Sequence, residues 1–356
     1  MIQPIKVLIV DDSAFMRRAL ATMIQSDPEI QVIGTARDGV EGVEKVAQLK
    51  PDIVTLDIEM PRMNGLEALK IIMEKMPLPV LMVSSLTEEG AKATLDAFDL
   101  GAVDFIPKNL QDLSLNIVKI KDVIIEKIKT VARKRPAFKQ IKPPSEISKK
   151  IVTPVSIPKS FGAQLTRKAS IVAIGTSTGG PKALQEVLPH LPSDFPVGGV
   201  IVQHMPPAFI GPFAQRLNQL SRVEIKEAEA NDIIKPGLFL IAPGGRHMQV
   251  TRKKATEVGV EFSAEPSDSL HRPSVDQTML SVARVFPGSC IGVILTGMGH
   301  DGLEGIRAIK AANGRTIAED ESSCVVYGMP RAIVENGLAD KITPLSQIAG
   351  EIINMV

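Results

Sequence analysis

Short β-branched segments alternate with amphipathic segments in two stretches of this chain, and a segment of different composition separates them. Because strands that alternate with helices pair in parallel and bury both faces of their sheet, each stretch predicts an α/β domain with a doubly wound sheet. A length of 356 residues suits two domains of ordinary size. The apolar runs are IKVLIV, DIVTL, PVLMV and VDFI in the first stretch, and SIVAI, VGGVIVQ, GLFLIA and CIGVILTG in the second.

The segment between the two stretches is rich in proline and lysine and has little apolar periodicity. It contains KRP, KPP, TPV and IPK, which favour an extended linker. Just before it, isoleucines at positions 117, 120, 124 and 128 recur at helical spacing, so we expect a helix to close the first domain. The predicted organisation is a first domain over 1–130, a linker over 131–165 and a second, three-layer α/β domain over 166–356.

Charge and aromatic content argue against several classes of partner. Forty-one basic residues nearly balance forty acidic ones, so no global field draws the chain to nucleic acid or to an anionic membrane. Aromatic residues make up 3% of the chain, which leaves few platforms on which bases can stack. No apolar run approaches the ~18 residues of a membrane-spanning helix, and the N-terminal run is too short for a signal peptide. We therefore expect a cytoplasmic protein with buried thiols at Cys290 and Cys324, no membrane insertion and no nucleic-acid partner.

Acidic residues end two strands of the first stretch. Asp11 and Asp12 follow the first strand, and Asp57 ends the third. Because the carboxyl ends of parallel strands gather at one edge of a sheet, these carboxylates can converge. Crowded carboxylates raise each other's pKa unless a cation neutralises them, and an oxygen-only ligand set suits Mg²⁺. The alternative is that each residue is a helix cap or a solvated loop residue.

A hydroxyl and an ammonium group are expected at the same edge. Ser84 follows PVLMV and Lys108 follows VDFIP. A carboxylate, a hard metal ion, a hydroxyl and a lysine together suit acyl-phosphate chemistry at Asp57.

The segments VDDSAFMRR, TLDIEMPRMNG, VSS and GAVDFIPK resemble the receiver domain of two-component response regulators, over about residues 4 to 125. The resemblance implies a flavodoxin-like, CheY-like fold with a five-stranded parallel sheet. It also implies Asp57 as the phosphoacceptor, Ser84 as the switch hydroxyl, Lys108 as the phosphate partner, and Mg²⁺ held by Asp11, Asp12, Asp57 and the backbone carbonyl of Glu59.

The second domain opens with a glycine-rich loop, GTSTGGP, which contains Ser177. Its glycines allow a tight strand-to-helix turn, and Pro181 fits the first turn of the helix that follows. The amides of such a turn can cradle a phosphate, but the loop lacks the GKS or GKT of a P-loop and the GxGxxG of a dinucleotide site. A serine on this turn also resembles a nucleophile elbow, which requires a base and an orienting acid.

His204 and Asp301 are the candidates for that base and that acid. His204 follows VGGVIVQ and Asp301 follows CIGVILTGMGH, so both are expected at the sheet edge where Ser177 lies. Asp301 can instead be the N-cap of the helix DGLEGIRAIKAA. Four other histidines compete with His204: His247 and His271 in loops that can line a cleft, His190 on the surface, and His300, whose side chain should diverge from Asp301.

The motifs GTSTGGP, QHMPPAF, APGGRHM, HRPSVD, TGMGHDG and VVYGMP resemble the catalytic domain of the CheB chemotaxis methylesterases, over about residues 168 to 354. With the receiver in front, the resemblance covers nearly the whole chain. It implies a Rossmann-like, three-layer α/β esterase domain with a mostly parallel sheet. The roles that it implies are Ser177 as nucleophile, His204 as base, Asp301 as orienting carboxylate, and Thr178 and the Met298 amide in the supporting oxyanion site.

The resemblance also implies the function. It is the phosphorylation-activated hydrolysis of glutamate γ-methyl esters on methyl-accepting chemoreceptors, with release of methanol and deamidation of receptor glutamines. A chemotaxis histidine kinase would donate the phosphoryl group, Mg²⁺ would serve the receiver alone, and the protein would be a monomer. Two alternatives are a response regulator with a DNA-binding output and one with a non-catalytic, receptor-binding output. The chain lacks a helix-turn-helix pattern and a basic recognition stripe, which argues against the first alternative.

Overall fold

A computed structural model describes residues 3–108, 113–133, 168–267 and 269–356 of the protein, without the side chains of residues 113–120. Most of the predicted linker, 131–165, therefore lies outside the described residues. Its first three positions continue the helix that closes the first domain. The isoleucines at 117 and 120 lie outside the described side chains, whereas Ile124 and Ile128 of the same helix are buried.

The first domain is a five-stranded parallel sheet with helices between successive strands, which confirms the predicted receiver fold. The strand order is β2-β1-β3-β4-β5, and each neighbouring pair is parallel. The elements are β1 (Ile5–Val10), α1 (Ala14–Ile24), β2 (Ile30–Ala36), α2 (Gly39–Leu49), β3 (Ile53–Asp57), α3 (Gly65–Lys75), β4 (Val80–Ser84), α4 (Glu88–Asp99), β5 (Asp104–Pro107) and α5 (Leu113–Arg133).

The two edge strands of this sheet differ in burial. β2, which the apolar runs did not predict, is mostly half-buried along its length. An edge strand pairs on one side only and needs less apolar cover, so its sequence gives a weaker signal. β5 is also an edge strand, yet its first three residues are buried. Part of the cover comes from the second domain, since the ring of Phe105 stacks on Phe209 with centroids 4.5 Å apart.

The second domain is built on a seven-stranded sheet in the order β14-β13-β12-β6-β7-β9-β8. All its strand pairs are parallel, in agreement with the predicted three-layer α/β fold. Its elements are β6 (Ile171–Thr176), α6 (Gly180–Val187), β7 (Gly198–Gln203), α7 (Pro207–Leu220), β8 (Glu224–Glu227), β9 (Leu238–Ile241), β10 (His247–Arg252), β11 (Val258–Ser263), α8 (Val275–Val285), β12 (Cys290–Ile294), α9 (Leu303–Ala311), β13 (Arg315–Glu319), α10 (Met329–Glu335), β14 (Lys341–Thr343) and α11 (Leu345–Met355).

The predicted strands of this domain form the centre of its sheet, and the unpredicted ones lie around it. β6, β7, β9 and β12 are continuous apolar runs because helices cover both faces of a parallel sheet. β8 and β14 are short edge strands, β13 begins with an arginine, and β10 and β11 form a separate antiparallel pair that packs against α8. Short or partly polar strands carry too little periodicity to be distinguished from loops.

The two domains pack directly against each other. Helix α4 of the first domain lies on α7 of the second, where Arg216 binds Asp96 and Asp99. Helix α5 buries Ile124 and Ile128 in a cluster that also contains Val326 of the second domain. The face formed by α4, β5 and α5 therefore covers part of the second domain.

Two expectations from composition concern the whole chain. Cys290 and Cys324 are both buried thiols, as predicted. Within the described ranges, no helix combines the length and the apolarity that are needed to span a bilayer.

Candidate active site and phosphorylation site

Asp11, Asp12 and Asp57 meet at the carboxyl edge of the first sheet. Each contributes one oxygen to a group whose members lie within 4.8 Å of one another. β1 and β3 are parallel neighbours, and their ends bring Asp11 and Asp57 together. Oδ2 of Asp11 is buried and has no hydrogen-bond partner among the described residues. A buried carboxylate oxygen of this kind, next to two other oxygen donors, fits Mg²⁺.

Lys108 places its ammonium group against both buried carboxylates. Its Nζ lies 2.6 Å from Oδ2 of Asp57 and 3.7 Å from Oδ2 of Asp11. Its amide donates to the carbonyl of Ser84, at 2.7 Å, which fixes the backbone just after β5. Burial, helped by the neighbouring Asp11, raises the pKa of Asp57 to about 6 in spite of the lysine.

Ser84 and Glu59 line a small cavity beside Asp57. The buried hydroxyl of Ser84 donates to the carbonyl of Gly90, at 3.1 Å. The amide of Glu59 donates to Oδ1 of Asp57, at 3.3 Å. Both residues lie where the receiver resemblance predicts them, and their roles in phosphorylation stay predictions.

Ser177 lies on the turn between β6 and α6. Its amide donates to the carbonyl of Thr296, at 3.1 Å, and its own carbonyl accepts from the amide of Gly180, at 2.8 Å. Gly179 adopts a φ of +79°, and an added Cβ there would lie 2.6 Å from the side chain of Val325. The turn therefore requires glycine at this position. It leaves Ser177 half-buried at the carboxyl edge of the sheet.

His204 and Asp301 form a hydrogen-bonded pair at the same edge. Nε2 of His204 lies 2.8 Å from Oδ2 of Asp301, and both side chains are about nine-tenths buried, with 9% and 10% of their surface exposed. His204 directly follows β7, the neighbour of β6, so it lies beside Ser177 at the ends of paired strands. Nδ1 of His204 is buried and makes no hydrogen bond to any described residue, Ser177 included. Contacts between catalytic groups are often long before substrate binds, so this nitrogen remains available to the serine.

Asp301 does not cap its own helix, contrary to the alternative considered from the sequence. Helix α9 begins at Leu303 with Gly302 as its N-cap. The Asp301 carboxylate instead accepts from the first turn of α8: from the Ser274 hydroxyl at 2.9 Å, the Val275 amide at 2.8 Å and the Asp276 amide at 3.0 Å. The N-terminus of a helix favours negative charge.

The pKa of Asp301 reflects this position. Burial alone would raise it, but the hydrogen bonds from His204 and from the amides at the start of α8 hold it well below its usual range. The carboxylate is therefore charged at neutral pH.

His271 is the histidine closest to this pair. Its ring stacks on that of His204, with centroids 4.0 Å apart and an angle of 16° between the planes. Burial, together with the neighbouring His204, lowers the pKa of His271 to about 4. Nδ1 of His247 accepts from the amide of Ser274, at 3.2 Å, and so supports the turn that holds Asp301. His190 and His300 are both exposed.

The first domain reaches the predicted oxyanion site. The Thr178 hydroxyl donates to Oδ2 of Asp104, at 2.6 Å, and Lys127 donates to the same oxygen, also at 2.6 Å. The side chain of Met298 packs against the cluster that contains α5, and its amide donates no hydrogen bond to the described residues. The Thr178 hydroxyl is thus occupied by the first domain, whereas the Met298 amide is available to a ligand.

Two residues of the site were missed from the sequence. Ser274 had a usable signal, because it precedes an apolar-periodic segment and is followed three residues later by Gln277, the pattern of a helix N-terminus. Asp104 had none, because its partner lies 74 positions away in the other domain.

Comparison with known proteins decides the family. The CheB methylesterase family matches residues 172–352, slightly more than half of the chain. This chain belongs to the CheB methylesterase family. The response regulator receiver domain family matches residues 7–118. Both resemblances that were stated from sequence motifs are thereby confirmed.

Curated relatives of this CheB family member match it from end to end. The protein-glutamate methylesterase/protein-glutamine glutaminase 1 of Oleidesulfovibrio alaskensis is 49% identical, and the alignment covers 99% of each chain. The enzyme of that name from Pyrococcus horikoshii is 44% identical, over 99% of this chain and 94% of its own. The crystal structure of the Thermotoga maritima CheB methylesterase catalytic domain is 40% identical and covers 53% of this chain and 100% of that one, with a TM-score of 0.52. Neither the DNA-binding nor the non-catalytic alternative is favoured.

Proposed function

We propose that this enzyme hydrolyses the γ-methyl esters of glutamyl side chains on chemoreceptors, releasing methanol, and deamidates receptor glutamines. The observation that carries the proposal is the buried pair of His204 and Asp301 beside the turn of Ser177. The names of the relatives that match the full length supply the class of substrate.

Ester cleavage begins at Ser177. Its Oγ attacks the ester carbonyl carbon while Nδ1 of His204 takes the hydroxyl proton. The ester C–O bond then breaks, and the protonated imidazole gives its proton to the departing oxygen, so that methanol leaves and a γ-glutamyl ester of Ser177 remains. Water attacks that ester, again with His204 as base, and releases the glutamate carboxylate and the serine.

Asp301 and Met298 support these steps in different ways. Asp301 accepts the Nε2 proton of His204, which leaves Nδ1 as the basic nitrogen and stabilises the imidazolium that forms. The Met298 amide donates to the oxyanion of the tetrahedral intermediate. In deamidation, the same groups act on a glutamine side chain, and ammonia takes the place of methanol.

Phosphorylation is proposed to take place at Asp57, with a chemotaxis histidine kinase as the donor. Asp11, Asp12, Asp57 and the backbone carbonyl of Glu59 would hold Mg²⁺, which when bound neutralises charge on the phosphoryl oxygens. Lys108 would pair with the phosphoryl group, and the Ser84 hydroxyl would turn toward it.

The same proposal includes control of the esterase by the receiver. Asp104 of β5 occupies the Thr178 hydroxyl, one residue from the nucleophile, and α5 packs beside Met298. A cavity of about 550 Å³ beside Met298 is lined by residues of α5 and of the second domain, so the boundary between the domains adjoins the proposed oxyanion site. Phosphorylation of Asp57 would favour a state in which the receiver has moved away.

The test is methanol release from methylated receptor membranes, measured with and without a small phosphodonor. The wild-type protein should release methanol faster with the donor, and Asp57→Asn should lose that increase while it keeps the basal rate. Ser177→Ala should abolish release under both conditions, whereas replacement of the exposed Ser193 by alanine should change neither. Turnover retained in folded Ser177→Ala would remove this serine from the mechanism. A wild-type rate that does not increase when the phosphodonor is added would refute the control by the receiver.

A further inference from the structure

The side chain of Gln203 joins the backbones of the two residues to which the proposed chemistry is assigned. Its Nε2 donates to the carbonyl of Ser177, at 3.0 Å, and to the carbonyl of His204, at 3.1 Å. Only 2% of Gln203 is exposed. One buried amide group therefore contacts both the nucleophile loop and the loop of the base.

This bridge lies where the backbone pairing of the sheet ends. The last pair in the register of β6 and β7 is Thr176 with Gln203, and the His204 amide makes a final bond, of 3.2 Å, to the Thr176 carbonyl. Beyond that bond the two chains turn into separate loops. The backbone ladder thus no longer fixes the separation of Ser177 and His204, and the Gln203 amide supplies the next link across.

The amide oxygen of Gln203 does not stabilise the fold through a hydrogen bond to the described residues. Its Oε1 is buried and meets no hydrogen-bond donor among the described residues. A Cβ added to Gly180 would lie 2.1 Å from this oxygen, so the group is packed closely against the start of α6. A buried acceptor without a partner destabilises a protein, whereas an apolar group of the same shape does not.

We propose that Gln203 is a positioning residue for ester hydrolysis: by holding the carbonyls of Ser177 and His204, it keeps Oγ and Nδ1 at a reactive separation. The inference rests on the proposed function for the identity of the nucleophile and the base. The hydrogen bonds of Gln203 go to backbone carbonyls and not to Oγ or Nδ1, so its proposed role is positioning. A displacement of about 1 Å between reacting groups can lower a rate on the order of 100-fold.

The test compares Gln203→Met with wild type in the full-length protein. Methionine has nearly the shape of glutamine and cannot donate a hydrogen bond. With methylated receptor membranes and a small phosphodonor, kcat should fall about 10- to 100-fold while KM changes less than about threefold. The thermal midpoint should change little, because the loss of the two hydrogen bonds that Nε2 donates is offset in part by the removal of an unpartnered buried acceptor.

Gln185 provides a matched control. This residue of α6 has a buried amide nitrogen without a hydrogen-bond partner among the described residues, so that nitrogen makes no link to either loop of the site. Gln185→Met should leave kcat unchanged. If Gln203→Met does not fold, Gln203→Leu gives the same test with a shorter apolar side chain, since leucine cannot donate to either carbonyl.

A folded Gln203 variant with kcat within twofold of wild type would overturn the inference, and so would a loss of kcat that only follows a loss of folded protein. Failure of the proposed function gives a different result, because Ser177→Ala would then keep its activity. Abolished turnover in Ser177→Ala together with full turnover in Gln203→Met would refute the positioning role alone.

Discussion

Single side chains near Ser177 acquire their properties from their surroundings, and His271 is the clearest case. Its ring is stacked on that of His204, and burial, together with the charge that His204 can carry, lowers its pKa to about 4. It is therefore a neutral ring at neutral pH. A neutral neighbour packs the proposed base in one orientation without repelling the imidazolium that forms on it.

The pKa of His271 predicts how stability depends on pH. The unfolded chain binds a proton at this residue with a pKa of 6.5, but the folded chain does so only at about 4. Since the unfolded state then binds more protons, the contribution of His271 to stability is present above pH 6.5 and is lost as the pH falls from 6.5 to 4.

The measurement is urea unfolding at pH 7 and at pH 5. His271→Phe keeps a stacked ring and should reduce the loss of unfolding free energy between these pH values by up to about 2 kcal/mol. His190→Phe, at an exposed site, is the matched control. Identical pH dependence in wild type and His271→Phe would contradict the shifted pKa.

At the scale of elements, the start of α8 is the part of the fold that fixes Asp301. Ser274 is the N-cap of this helix, and it donates its hydroxyl to Asp301 while its oxygen accepts from Gln277. Two further donors are the amides of the first helical turn. The unpaired amides at a helix N-terminus need acceptors, and here the acceptor is the carboxylate that is proposed to orient the base.

Asp301→Asn tests this arrangement. Each carboxylate oxygen of Asp301 accepts from two donors, so the NH₂ group of asparagine would face two donors in either orientation. In one of these orientations it faces His204. The imidazole would then have to present Nε2 as an acceptor and carry its proton on Nδ1, where it could no longer accept the proton of Ser177. We expect kcat for methanol release to fall on the order of 10³- to 10⁴-fold.

Steady-state methanol release checks this expectation. Glu304→Gln, at an exposed carboxylate in the first turn of α9, serves as the control and should keep full activity. A decrease of less than tenfold in folded Asp301→Asn would show that this carboxylate does not set the tautomer of His204.

At the scale of the whole molecule, the receiver and the esterase share one continuous interface. Phe105 stacks on Phe209, Asp104 binds Thr178, and Arg216 pairs with two aspartates of α4. These contacts reach from the edge of the phosphorylation domain to the residue after the proposed nucleophile. The interface is therefore where phosphorylation can be coupled to hydrolysis.

Arg216→Glu should weaken the docking of the two domains. The ion pairs of Arg216 are partly exposed, so each contributes little. Their loss, together with the new repulsion from Asp96 and Asp99, should make the free energy of domain docking less favourable by about 1 kcal/mol. The basal rate of methanol release, without phosphodonor, should rise about fivefold, and the rate with phosphodonor should change little. Lysine at positions 96 and 99 should restore the low basal rate of Arg216→Glu.

The comparison is made against Arg222→Glu, which alters an exposed arginine of the same domain. A basal rate in Arg216→Glu that equals that of this control would mean that the salt bridges on α4 do not restrain the esterase.

The sequence by itself determined the parallel α/β fold of both domains and the edge at which the chemistry lies. Continuous apolar runs mark the central strands, and the residues just after those runs, such as Asp11, Ser177 and His204, must lie at the carboxyl edge of a parallel sheet. The order of residues along the chain is enough for this prediction. All strands of a parallel sheet run in the same direction, so the residue that follows each strand lies at the same edge.

Only the tertiary structure decided which distant segments of the chain contact each other, because no local sequence pattern predicts such contacts. Asp301 serves the N-terminus of α8 and not that of the helix that follows it, and Asp104 of the receiver reaches Thr178 of the esterase. It also decided which nitrogen of His204 is left unpartnered and that Gln203 links the two loops. The physical reason is that these are contacts between segments far apart in the chain, and packing, not residue spacing, sets their distances.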